Sequence, residues 1–251
     1  VEGEFETQGQ YHAYMEPCSA VAEVDANGKI TVWSSNQSVF RDQANIADRL
    51  GIPMSRIRAI SPRVGGAFGG KIEITNQAIV ALLATKAKKP VKLTLSSEQD
   101  MEMIRGRHPA KVRMKTGAKK DGTLVARETE IVMDCGAYAC DSPGVVGVAS
   151  WFARGPYHID HVRSKGRGVY TNKLRFGAFR GFGGPQVAWP GEQQLDQIAE
   201  QIGIDPIDIR IKNAIQAERE WVAGIELAKS DLTTCLTTVR DACSWDEKRA
   251  A

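Results

Sequence analysis

VGGAFGGK, at residues 64–71, is the stretch around which this chain is organised, and GAFRGFGGPQ, at residues 177–186, repeats its pattern. Both are clusters of glycine interrupted by phenylalanine. Glycine allows positive φ and lets a ligand approach main-chain N–H groups, so such clusters suit a binding cradle better than a core. An apolar periodic segment follows each cluster. It predicts a helix whose first N–H groups and dipole face whatever the loop holds.

A tight strand-to-helix connection is the alternative interpretation of either loop taken alone. Two loops of the same kind in one chain, each with an embedded aromatic residue, favour binding. The first loop lacks the spacing GxxxxGK[ST], and the second lacks GxGxxG. The pair therefore predicts a binding site that is not a simple nucleotide loop.

Length and composition are those of a globular protein with one or two domains. The 251 residues are 42% hydrophobic and 25% charged, with a net charge of +3. Such balance argues against nucleic acid as a partner. The longest apolar run, residues 78–84, is far shorter than the roughly 20 residues of a membrane helix, so no membrane partner is expected.

The five cysteines form no CxxC pair. Zinc or iron–sulfur ligation within the chain is therefore not expected, and reduced thiols in a cytoplasmic protein are the simplest interpretation. A disulfide between Cys135 and Cys140 is possible on spacing alone but is disfavoured.

Hydrophobic periodicity predicts an alternation of strands and helices in the first 95 residues. Strands are predicted at residues 10–25, 29–34, 57–61 and 91–95, with helices starting near residues 37 and 74. The Asn27-Gly28 pair predicts a hairpin. The second helix is expected to bury Ile79, Leu82 and Leu83. This half thus has an α/β-type order, with the first glycine loop at the carboxyl end of a strand.

The second half predicts a long antiparallel strand pair and then mainly helices. The strands are predicted at residues 110–116, 123–133 and 162–170, and the helices at residues 144–154, 185–202 and 207–215 and from a cap at Ser230. The predicted fold class is α+β, with mixed β-sheets and packed helices, Gly-rich strand-to-helix loops and a helical C-terminal quarter.

Several polar residues are candidates for function, each with a structural alternative. Gln37 stands at a strand-to-helix junction and either contacts a ligand or caps the helix. Arg107 either clamps an anionic or carbonyl oxygen or is a solvated arginine. The residues His12 and Glu16 form either a functional pair or a polar strand end. His158 and His161 resemble half a metal site, although surface histidines are the better interpretation.

The motifs VGGAFGGK, GRHP at residues 106–109 and AFRGFGGPQ at residues 178–186, with Gln37 lying 31 positions before Phe68, resemble one known family. This is the molybdenum-binding subunit of the xanthine dehydrogenase and aldehyde oxidase family. The resemblance runs from about residue 12 to residue 214. It implies that residues 1–251 are the first molybdopterin-binding domain of a larger molybdenum hydroxylase subunit, truncated or split.

The resemblance also implies roles for individual residues. The cofactor-binding residues would be Gln37, Gly66, Phe68, Gly69, Arg180 and Gly181, of which Gln37, Phe68 and Arg180 would surround the molybdenum. Substrate would contact Ile72, Arg107 and Phe182. Ile72 stands where purine-oxidising members carry glutamate, so an aldehyde or another aromatic heterocycle is expected rather than xanthine.

The implied activity is hydroxylation of an aldehyde or aromatic heterocycle with oxygen derived from water. The cofactor would be molybdopterin with molybdenum, either as such or as its cytosine dinucleotide. Iron–sulfur clusters and FAD would reside on other chains or domains. In the family the general-base glutamate lies downstream, in a second cofactor-binding domain. No catalytic residue is thus expected in this chain, which would be inactive alone. The alternative is a non-catalytic cofactor-binding or assembly module that needs a partner chain carrying that glutamate, and a third possibility is an unrelated nucleotide-binding enzyme.

Overall fold

The computed structural model describes residues 1–103, 106–217, 220–222, 225–226 and 231–250. The strands are β1 (Glu2–Thr7), β2 (Ser19–Val24), β3 (Ile30–Ser34), β4 (Ile57–Ile60), β5 (Val91–Thr94), β6 (Ala110–Ala118), β7 (Leu124–Gly136), β8 (His161–Tyr170), β9 (Glu220–Val222) and β10 (Ile225–Glu226). The helices are α1 (Val39–Leu50), α2 (Gln77–Ala87), α3 (Ser97–Met103), α4 (Ser142–Phe152), α5 (Gly184–Ile202), α6 (Pro206–Asn213), α7 (Leu232–Ala242) and α8 (Trp245–Ala250), and a 3₁₀ turn precedes β4.

An N-terminal lobe is built on a four-stranded sheet in the order β4-β3-β2-β5. The predicted hairpin is confirmed, because β2 and β3 pair antiparallel across Asn27-Gly28. Helix α1 connects β3 to its parallel neighbour β4 and is capped at its C-terminus by Gly51, whose φ is 64°. Together α1 and α2 cover one face of this sheet around a core that includes Val32, Ile46 and Val80.

Two predictions for this lobe are wrong. Residues 10–18 are not strand, and β2 begins only at Ser19. The side chains of His12 and Tyr14 are buried against the glycine loops, and Ala13 has a φ of 52°, which does not fit an extended strand. Polar alternation in this segment therefore reflects loop contacts and not a sheet.

Helix α2 also buries another face than expected. Ile79, Leu82 and Leu83 are about half exposed, whereas Val80, Ala81 and Ala84 are fully buried. Small side chains let the helix lie close to the sheet, and the largest apolar side chains therefore did not indicate the buried face. The helix begins at Gln77, so residues 72–76 separate it from the first glycine loop.

A C-terminal lobe is built on a second four-stranded sheet in the order β1-β6-β7-β8. The predicted antiparallel pairing of β6 and β7 is confirmed. Strand β8 returns parallel to β7 after α4. The predicted helix α5 starts at Gly184, directly after the second glycine loop, and buries Leu195, Ile198 and Ala199.

The C-terminal quarter is largely helical, and the predicted α+β class with mixed sheets is confirmed. The short β9–β10 pair interrupts the helices. The predicted cap Ser230 lies outside the described residues. Asp231 is the residue that accepts the Thr234 N–H at the start of α7. No described helix has both the length and the apolar character needed to cross a bilayer.

The chain crosses between the lobes twice. It leaves β1 through residues 8–18, the first crossing segment, and builds the N-terminal lobe. It then returns through a second crossing segment, of which residues 95–103 and 106–109 are described. Among the described residues, the extensive contacts between helices and strands fall within one lobe or the other. Loops and crossing segments therefore form the seam between the lobes.

Candidate functional site

The two glycine-rich loops meet at this seam. Residues 64–71 form the first glycine turn and residues 177–183 the second. The N–H of Arg180 donates to the carbonyl of Phe68 at 2.9 Å. A Cβ added to Gly69 would lie 2.6 Å from the carbonyl oxygen of Ala178, so only glycine permits this approach of the two backbones. The expected juxtaposition of the two turns is confirmed.

Both turns contain runs of left-handed backbone that include a phenylalanine. In the first, φ is 96° at Gly66, 51° at Phe68 and 106° at Gly69. In the second, Phe182 has a φ of 45° between two glycines that are also left-handed. Bulky residues adopt positive φ at a cost of order 1–3 kcal/mol, and such strain is concentrated at ligand sites. Turns of this kind are also where successive main-chain N–H groups converge to bind anions.

Gln37 is held against the first turn by three hydrogen bonds. Its Oε1 accepts from the N–H groups of Gly69 at 3.0 Å and Lys71 at 3.3 Å, and its own N–H donates to the carbonyl of Lys71 at 2.9 Å. Two N–H donors fix which end of the amide is oxygen. Gln37 is an exposed residue, and its Nε2 has no hydrogen-bond partner among the described residues. Ser38 occupies the N-cap position of α1, so the capping interpretation of Gln37 is wrong.

Arg180 provides positive charge where the turns meet. Its side chain is exposed, and its guanidinium makes no ion pair or hydrogen bond with any residue that the structure describes. Phe68, with 47% of its surface exposed, lies on the other side of the hydrogen bond. An open cation and an open amide donor thus flank the turns, a donor set suited to an anionic group rich in acceptor oxygens.

Arg107 is buried and is not the solvated arginine of the structural alternative. Its guanidinium stacks on the ring of Phe179 at 4.1 Å, and its Nη2 donates to the carbonyl of Arg180 at 2.8 Å. A longer bond of 3.4 Å joins Nη1 to Gln186. Burial lowers the pKa of Arg107 from its ordinary value. These contacts connect it to the second turn, and its contact with substrate stays a prediction.

The other two predicted substrate residues lie at the edges of this arrangement. Phe182 is half-buried and packs against Gly144 and the core under α4. Ile72 is half-buried and directly follows Lys71. The neighbouring Glu73 lies 3.6 Å from Arg41 and lines a separate cleft of about 1220 Å³ between α1, α2 and residues 172–175.

Lys71 was not among the predicted site residues, and Glu16 was predicted only as part of either a functional pair with His12 or a polar strand end. Lys71, completely buried, donates from Nζ to the carboxylate of Glu16 at 2.9 Å and to its carbonyl at 2.7 Å. The same carboxylate accepts the Gly65 N–H at 2.7 Å. Burial would raise the pKa of Glu16, but its bonds to Lys71 and Gly65 hold it below the usual value. The final lysine of the motif and the HAYME segment were the available signals.

The remaining candidate ligands do not gather into a metal site. His158 Nε2 lies 3.2 Å from Asp160, and His161 is exposed on β8. Among the described residues, no group of three or more potential ligand side chains could hold a metal ion. All five cysteines are free thiols, so Cys135 and Cys140 form no disulfide.

The seam thus has the features of a ligand-binding protein of the class in which two loop-bearing lobes offer N–H donors and positive charge to an anionic group. A family model described as molybdopterin cofactor-binding domain matches residues 1–214. The chain belongs to this family.

Known relatives agree with this assignment. The nicotinate dehydrogenase large molybdopterin subunit of Eubacterium barkeri is 40% identical over 230 residues, which are 92% of this chain and 54% of that protein. One component of the probable xanthine dehydrogenase of Bacillus subtilis (strain 168) is 39% identical over 209 residues, 83% of this chain and 28% of that protein. The solved aldehyde oxidoreductase of Desulfovibrio gigas has 31% identity and a TM-score of 0.88, over 96% of this chain and 27% of that one. The chain thus spans about half or less of the length of these proteins.

Proposed function

We propose that residues 1–251 are the first molybdopterin-binding domain of a molybdenum hydroxylase that acts on an aldehyde or an aromatic heterocycle with oxygen derived from water. The observation that carries the proposal is the Phe68–Arg180 hydrogen bond, which brings two glycine turns, Gln37 and a guanidinium to one place.

The residues fit the chemistry of the cofactor. Molybdopterin is anionic, with phosphate and dithiolene groups, and the site offers turn amides, an open carboxamide donor and an arginine without a partner among the described residues. Gly66, Gly69 and Gly181 let the backbone come close enough for main-chain contact. When bound, the cofactor supplies the redox chemistry.

The chain's own residues would orient and enclose the reacting centre. Gln37, whose Oε1 already accepts from Gly69 and Lys71, would use its Nε2 to donate to an acceptor oxygen of the bound cofactor. The guanidinium of Arg180 would balance negative charge. Phe68 would exclude water with its half-exposed ring. Helix α5, beginning directly after the second turn, adds the positive end of its dipole.

Ile72, Arg107 and Phe182 are the residues proposed to contact substrate. Ile72 has no polar atom to pair with a purine ring, which favours aldehydes or N-heteroaromatic acids over xanthine. Among the relatives, the names nicotinate dehydrogenase and aldehyde oxidoreductase lie within this range, whereas the name of the Bacillus subtilis relative, probable xanthine dehydrogenase, does not.

The general base is proposed to come from a second molybdopterin-binding domain. The carboxylates near the first turn are already engaged, Glu16 by Lys71 and Gly65 and Glu73 by Arg41. Iron–sulfur and flavin subunits or domains would carry the electrons away. We further propose that the cofactor is molybdopterin or its cytosine dinucleotide and that the protein is cytoplasmic, in line with its free thiols.

The test is metal and pterin analysis of the protein that contains this chain, purified from its source. We expect molybdenum and a pterin in equal amounts, and aldehyde- or heterocycle-dependent dye reduction exceeding that with xanthine. Release of cytidine monophosphate would identify the dinucleotide. Arg180→Met and Gln37→Ala should lower molybdenum content severalfold, whereas Arg167→Met, on the exposed face of β8, should not. A wild-type protein without molybdenum or pterin contradicts the proposal.

A further inference from the structure

The first crossing segment, residues 8–18, contacts both glycine turns at once. The function proposed above uses the turns and leaves this segment without a role. We infer that it is the positioning element of the site, in which His12 and Glu16 set where Arg180 and Gln37 lie relative to each other. The inference rests on the proposed function.

Glu16 closes the first turn at its base. Its carboxylate binds Gly65 N–H at 2.7 Å and Lys71 Nζ at 2.9 Å, and so connects the two ends of the turn. The main-chain N–H and carbonyl of Lys71 in turn hold Gln37. Displacement of Glu16 would thus also displace Gln37, because Lys71 contacts both residues. A charge-assisted bond to a fully buried lysine is among the stronger contacts available for this purpose.

His12 holds the second turn in the same manner. Its Nε2 lies 2.8 Å from the carbonyl oxygen of Ala178, and because a carbonyl can only accept, Nε2 carries the proton. Its ring stacks on Phe179 with centroids 4.4 Å apart. The guanidinium of Arg107 lies 4.1 Å from the same centroid, and two groups this close cannot share one face. Phe179 is therefore enclosed on both faces, immediately before Arg180.

The segment and the first turn pack without a gap. A Cβ at Gly70 would lie 2.9 Å from the ring of Tyr14 and 3.0 Å from that of His12. A Cβ at Gly65 would lie 2.7 Å from the Cβ of Glu16. These distances are too short for a side chain, so both glycines are required by the segment itself. Direct contact at both turns distinguishes a positioning role from that of a passive connection.

The experiment uses the complete protein with substitutions in the crossing segment. His12→Ala and Glu16→Ala remove the contacts. Among conservative changes, His12→Gln keeps a donor, His12→Phe keeps the stack, and Glu16→Gln keeps acceptor oxygen without charge. His161→Ala and Glu23→Ala, at exposed positions on β8 and β2, are the matched controls. Amide hydrogen exchange of the cofactor-free protein and molybdenum per polypeptide are measured.

We expect residues 64–71 and 177–183 to exchange roughly fivefold or more faster in the alanine variants, since removal of a hydrogen bond shifts local opening by that order. Strands β6 and β7 should exchange at the wild-type rate, and molybdenum content should fall severalfold. Glu16→Gln and His12→Gln should restore part of the protection of the two turns from exchange and part of the molybdenum content. A general loss of stability would instead accelerate exchange in β6 and β7 as well.

Two outcomes overturn the inference: wild-type exchange and molybdenum content in both alanine variants, or acceleration spread evenly over both lobes. If an alanine variant does not fold, the conservative variants decide by the same criteria. Absence of molybdenum from the wild-type protein would contradict the proposed function, and the exchange measurement would still decide whether the segment fixes the turns.

Discussion

At the scale of single residues, the same backbone conformation serves different ends. Gly51 and Gly69 both have positive φ, but a Cβ at Gly51 would meet nothing within 4 Å, whereas one at Gly69 would meet the Ala178 carbonyl. The first glycine ends a helix, and the second lets two turns touch. Conformation alone does not distinguish them, because the difference lies in a contact with a residue far along the chain.

This comparison predicts that alanine at the two glycine positions lowers stability by different amounts. Gly69→Ala should lower the free energy of unfolding by about 2–4 kcal/mol, through backbone strain plus the clash with Ala178. Gly51→Ala should cost only about 1 kcal/mol, because it carries the conformational penalty alone. Urea unfolding of the two variants measures the difference. Equal costs would show that the turns do not touch as described.

Asp42 is a second residue with a measurable consequence. It is completely buried, and burial raises its pKa to about 6 despite hydrogen bonds from Ser34 and Gln77. An aspartate in the unfolded chain ionises near pH 4. As the pH rises from about 4 to 6, the unfolded state therefore loses its proton while the folded state keeps it, and the free energy of unfolding decreases.

Asp42→Asn should abolish this loss, since its amide oxygen can accept the same two bonds. The free energy of unfolding of the variant minus that of the wild type should increase by about 1–3 kcal/mol between about pH 4 and pH 6. Above pH 6 this difference should stay constant. Urea titrations at a series of pH values test this. A difference that does not change with pH would show that Asp42 ionises normally.

At the scale of elements, β8 illustrates how a residue that weakens a strand in sequence can be required by packing. Gly166 and Gly168 reduce strand propensity. A Cβ at Gly166 would lie 2.6 Å from both Ser150 and Val146 of α4, so the glycine lets the helix lie against the strand. Gly147, in α4, has open space around it.

We therefore predict opposite effects for two similar changes. Gly166→Ala should destabilise by about 1–3 kcal/mol through overpacking, whereas Gly147→Ala should stabilise by about 0.5–1 kcal/mol through helix propensity. Thermal unfolding of the two variants provides the comparison. Destabilisation by Gly147→Ala would mean that this face of α4 is covered.

The elements also show what could be predicted from sequence. Predictions of strands with clear alternation and hairpin turns were correct, as for β6 and β7, because these signals are local in sequence. The predicted buried face of α2 was wrong because the side chains that this helix buries are mostly small. The contacts of residues 10–18 could not be predicted, since His12 and Ala178 are 166 positions apart and Glu16 and Lys71 are 55 apart. The motifs did predict that Gln37, Phe68 and Arg180 would come together.

At the scale of the whole molecule, two lobes with separate cores meet through turns and crossing segments. A direct ion pair also spans them, from Arg41 on α1 to Asp141 before α4 at 2.8 Å. Partly exposed pairs of this kind contribute little, about 0–1 kcal/mol. The seam is therefore expected to be the weakest part of the cofactor-free protein.

We predict that the lobes of the cofactor-free protein unfold at different urea concentrations. Pulse-labelled hydrogen exchange would follow β2 and β3 for one lobe and β6 and β7 for the other. Two midpoints are expected, and they should approach each other when a ligand binds across the seam, because such a ligand stabilises only the joined form. Coincident transitions without ligand would show that the seam couples the lobes by itself.

Strand β1 pairs with β6, although the whole N-terminal lobe lies between them in sequence. During synthesis, residues 19–95 can complete their sheet as soon as they leave the ribosome, whereas β1 has to wait for residues 110–118 to emerge. Strand β1 thus lacks its β6 partner for part of translation. Its acidic residues, Glu2, Glu4 and Glu6, would discourage pairing with a neighbouring nascent chain until the proper partner appears.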